Sequence, residues 1–143
     1  MLFKRVSRAN AETAFIVAKN VSGSTMTAGY PAVFDVGASV DGVRVTRASA
    51  TDVQAFAGVA DSDIANNEYG LLQVYGYRSS IAIYASTGSS VAGDNLVCVA
   101  SQWGMTPATT GGTAKAFGFL CAAVTASSSS QFLTTAAAFI RAL

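Results

Sequence analysis

The chain has 143 residues, 51% hydrophobic and only 12% charged, with nine Lys and Arg against eight Asp and Glu and no histidine. A length near the commonest domain size supports one sizeable core, and charged content about half the usual quarter leaves Ser, Thr, Ala and Gly to cover the surface, as at subunit interfaces. Without histidine, Ser-His-Asp and Cys-His catalysis and histidine zinc sites are excluded, and four basic residues near the start of the chain without an aromatic partner are too weak a signal for a nucleic-acid partner to be expected.

The first nineteen residues are locally basic, because Lys4, Arg5, Arg8 and Lys19 face only Glu12. Leu2 and Phe3 precede the charges and only a short apolar run, 14–18, follows them, so no secretory signal is legible. The segment reads as an extended N-terminal arm with a first strand, residues 1–20, ahead of a single β-rich domain over 21–143.

Alternation with period two recurs along the chain, whereas helical spacing is hard to find. It predicts strands over 14–19, 32–36, 42–46, 53–59, 69–77, 80–85, 95–100, 116–125 and 132–141, separated by Gly, Ser and Asp turns. The expected fold is all-β, a compact antiparallel sandwich or small barrel. Residues 61–68 are expected to form one short helical turn capped by Asp63, and 21–25 and 104–113 to form loops, the latter with Pro107 and Gly111-Gly112. The charge-free stretch 116–140 is long enough to span a bilayer, but four serines and Gln131 at its centre break it into two strands and a turn, so no membrane contact is expected. Cys98 and Cys121 lie in apolar runs where free cysteines are buried as small hydrophobes, a disulfide between adjacent strands being the alternative.

An internal echo is present. Ala28-Gly29-Tyr30-Pro31-Ala32-Val33-Phe34 matches Ala92-Gly93-Asp94-Asn95-Leu96-Val97-Cys98 as an Ala-Gly turn entering an apolar strand, and Phe56-Ala57-Gly58-Val59 matches Ala116-Phe117-Gly118-Phe119 downstream. Two related β halves are the reading this supports.

No motif carries recognisable chemistry. Gly111-Gly112-Thr113-Ala114-Lys115 has the wrong order for a phosphate-binding loop, and the acidic run 61–68 lacks the central glycine and distal glutamate of a calcium loop. Neither catalysis nor a cofactor is therefore expected. Tyr69, Leu71, Tyr75 and Tyr77 fall on one face of a strand and Leu72 and Val74 on the other, which marks a central strand or one with an oligomer interface on one side. Tyr75, Tyr77, the following Arg78 and Trp103 in its Gly-flanked loop are candidate contact anchors.

The run from Phe56-Ala57-Gly58-Val59 through Asp61-Ser62-Asp63 to Tyr69-Gly70-Leu71-Leu72-Gln73-Val74-Tyr75-Gly76, with the turns at Ala28-Gly29 and Ala92-Gly93-Asp94, resembles small bacteriophage head decoration, or capsid cement, proteins. The first turn departs from that pattern, having Tyr30 and Pro31 where an Asp is more usual. The resemblance implies a non-catalytic β domain, made in the host cytoplasm, that binds the outer surface of the virion capsid as a homotrimer at three-fold and quasi-three-fold positions. Its partners would be its own copies and the major capsid protein. On that reading Leu2, Phe3, Lys4, Arg5 and Arg8 form the arm that lies on the shell. The alternatives are another virion role, such as a head fibre or tail component, and a secreted carbohydrate-binding or adhesin module.

Overall fold

The computed structural model of the chain describes residues 12–37, 41–85, 89–108, 115–125 and 132–142. The arm residues Leu2, Phe3, Lys4, Arg5 and Arg8 lie outside this set. Eleven strands are present in it: β1 Ala14–Asn20, β2 Pro31–Phe34, β3 Arg44–Thr46, β4 Phe56–Ala60, β5 Tyr69–Ala85, β6 Ser89–Ser90, β7 Asn95–Cys98, β8 Met105–Pro107, β9 Gly118–Leu120, β10 Val124–Thr125 and β11 Phe132–Arg141. The fold is all-β, as the alternation predicts.

Nine strands make one sheet in the order β1-β3-β2-β4-β5-β11-β9-β7-β8, and β10 pairs with β6. Two further pairings, β1 with β5 and β5 with β8, close this sheet on itself twice. The first ring is β1-β3-β2-β4 and the N-terminal part of β5, and the second is the C-terminal part of β5 with β11-β9-β7-β8. Strands of three to five residues are marginal as open sheets, and closure pairs both edges of each. The sheet is mixed rather than wholly antiparallel, because β1 runs parallel to β3 and β5 parallel to β8.

The rings repeat one topology. In each, the first strand runs parallel to the third, the second pairs with the third and fourth, and the last closes on the first. The backbone bonds repeat too. Gly29 N–H donates to Ala60 O and Ala60 N–H to Tyr30 O, at 2.8 and 2.9 Å, while Gly93 N–H donates to Leu120 O and Leu120 N–H to Asp94 O at the same distances. Pro31 pairs with Val59 and Ala32 with Gly58, as Asn95 does with Phe119 and Leu96 with Gly118. The internal echo is thus the trace of a structural duplication. Gly29 and Gly93, with φ of 86° and 98°, supply the left-handed turn that enters the second strand of each ring.

Residues 69–77 and 80–85 form one strand, β5, which serves as the last strand of the first ring and the first of the second. It passes Gly76 at φ 107°, where a Cβ would run into the backbone of Glu12, so only glycine lets the chain leading into β1 cross it. Other expectations shift. The strand expected at 53–59 begins at Phe56, since 50–54 turns on a carboxylate of Asp52 that accepts from Ser49 N–H. The one expected at 116–125 splits into β9 and β10, and β8 sits inside the expected loop 104–113. The helical turn at 61–68 does not form. Ile64 instead makes a bridge to Met26, and Asn67 takes φ 68° to re-enter β5.

Each ring fills its interior differently. The first encloses Ala18, Ala32, Ala57 and Ala60 with Met26, Val45, Ile64 and Leu72, the small residues suiting a narrow ring. Buried Asn20 completes it, its amide donating to Ser24 O and Ile64 O, both at 2.8 Å, so its burial leaves no donor unpaired. The position of Asn20 opposite Val45 corresponds in the second ring to Ile83 opposite Met105, among Leu96, Leu120 and Ile140. Val33, Phe56 and Val59 of the first ring join this second cluster, and Phe56 stacks on Phe117 at 4.9 Å. That junction makes the two rings one packed body.

Candidate interaction surface

The outer face of β1 and β5 in the first ring carries a strip of exposed apolar side chains. Val17 sits opposite Leu71, and Lys19 opposite Tyr69, with Phe15 next along β1. Val17 is 60% and Tyr69 62% exposed, and Phe15 and Leu71 are also exposed. Strand alternation explains the pattern: β1 buries Ala18 and Asn20 in the ring and must turn Phe15, Val17 and Lys19 outward. Lys19 Nζ lies 5.8 Å from the Tyr69 ring centre, within reach of its face. Isolated exposed hydrophobics are ordinary, but four together on adjoining strands make a candidate interaction surface.

The expected anchors have different fates. Tyr77 is exposed, while Tyr75 is half-buried and meets Phe139 edge-on at 5.1 Å. Arg78 is engaged within the chain. Its guanidinium donates to Asp61 Oδ1 at 3.0 Å, to Asp61 O and Ser80 O at 3.2 Å and to Gln73 Oε1 at 3.4 Å, leaving the side chain 14% exposed. Trp103 stacks on Tyr30 at 5.4 Å, second ring against first. Gln73 is buried, its amide donating to Tyr75 O and Tyr77 O. Of the residues read on one face of the 69–77 strand, Tyr69, Leu71 and Tyr77 are exposed, and that reading did not include the exposed Phe15 and Val17. The signal lay in the period-two pattern of residues 14–20, which places both on one face.

The polar groups mainly brace turns. Asp63 Oδ1 accepts from Ala28 N–H at 2.8 Å and Asn66 Oδ1 from Gly23 N–H at 2.9 Å, so the 61–68 run ties down the 21–28 loop as a polar turn. Asp41 accepts from Arg44 N–H and Val43 N–H and pairs with the Arg44 side chain at 3.0 Å; these bonds hold its carboxyl below the ordinary range. Both cysteines are free. Cys98 is buried as expected, and its thiol is pushed up to about 12 by burial and by the neighbouring charge of Asp52, which makes it a poor nucleophile. Cys121 is exposed, contrary to expectation, because β9 ends one residue before it. Among the described residues, no three or more Cys, Asp or Glu side chains are grouped to hold a metal ion.

Comparison with known proteins turns on this doubled architecture. No family profile matches the chain, and no curated protein does. Among solved structures, the N-terminal base of the head fibre protein gp8.5 of bacteriophage phi29 superposes with a TM-score of 0.53 and 14% identity, over 92% of this chain and 96% of that one. The chain has a fold similar to that of a phage head-fibre base. The likeness spans both rings, and at this identity it is a likeness of fold.

Proposed function

We propose that the chain is a non-catalytic structural protein of a bacteriophage virion, attached to the outer surface of the head. The observation that carries this reading is the fold likeness to the base of a phage head fibre over 92% of this chain and 96% of that one. The composition supports it. A surface poor in Lys and Glu, with an exposed Val-Leu-Tyr strip, suits repeated subunit contacts.

Within that reading the chain is a shell-seated module that acts as a homotrimer, binding the major capsid protein. The base of a head fibre is the form that the fold likeness favours. A capsid cement protein at three-fold and quasi-three-fold positions is the second form, supported by the resemblance carried by residues 56–76 and the two Ala-Gly turns.

Quantitative mass spectrometry of purified particles, scaled to the major capsid protein, tests both. A ratio near one copy per capsid protein supports cement, and a substantially lower fixed ratio on the head supports a fibre base. Absence from particles sinks the virion reading.

A further inference from the structure

We draw no further inference here: the strongest candidate, the exposed apolar strip of Phe15, Val17, Leu71 and Tyr69 on the outer face of β1 and β5, carries nothing more because nothing in the structure shows what covers it.

Discussion

Arg78 holds Asp61 at 3.0 Å, joining the middle of the long shared strand to the turn that leads away from β4. The same guanidinium reaches two backbone carbonyls and the Gln73 amide oxygen, so it ties the strand on both sides of Gly76 to the turn. Arg78→Ala is expected to lower stability by about 1–2 kcal/mol, more than an exposed pair contributes, because carbonyls also lose a charged donor. Arg78→Lys should recover little of this, since an ammonium cannot reproduce the planar fork. Urea denaturation of both variants checks it, and full recovery by Lys would refute the account.

Gly76 and Gly93 both have positive φ, yet their surroundings differ, which separates strain from clash. Gly93→Ala meets open space and is expected to cost about 1 kcal/mol, the ordinary penalty of a left-handed alanine. Gly76→Ala adds a collision with the backbone at Glu12 and should cost at least about 3 kcal/mol or prevent soluble expression. Thermal melts of the two variants should rank in that order.

The thiols should divide cleanly. At pH 8, a thiol reagent is expected to titrate Cys121 quickly and Cys98 only on unfolding. The native Cys98 keeps its proton to about 12, whereas the unfolded thiol loses it near the ordinary 9.0, so between those values the unfolded state binds fewer protons. Stability should therefore be full below pH 9 and decline as pH rises towards 12, this thiol adding a slope of about 1.4 kcal/mol per pH unit at most. Denaturant midpoints across pH 8–11 should fall less steeply in Cys98→Ala than in the native chain.

Trp103 is the sole tryptophan, and its stack on Tyr30 lies where the rings meet, so its fluorescence reports on that junction. With β5 shared and Phe56 locked against Phe117, the rings should unfold together, and fluorescence and far-UV circular dichroism should trace one transition. Two separated transitions would show independent rings. Phe56→Ala is expected to cost about 3–5 kcal/mol by opening a cavity at that point.

Period-two alternation in the sequence determined the strand content, and it carried most strand positions within a few residues. The matched Ala-Gly turns, 28–29 and 92–93, also exposed the duplication, because a left-handed turn needs glycine wherever the topology repeats. Shorter strands escaped. Nothing local marks Met105–Pro107 as paired, since a three-residue strand exists only through partners on β7 and β5 brought in from elsewhere. The exposed strip was half legible, with Tyr69 and Leu71 readable on one face and Phe15 and Val17 read only as part of a short apolar strand. Which face of a strand meets water is decided by the sheet's closure, and closure depends on long-range pairings that no local pattern encodes. Arg78 shows the same limit: its charge and place after a strand were plain, but its partner Asp61, just past the end of β4, is brought to it by the pairing of β4 with β5.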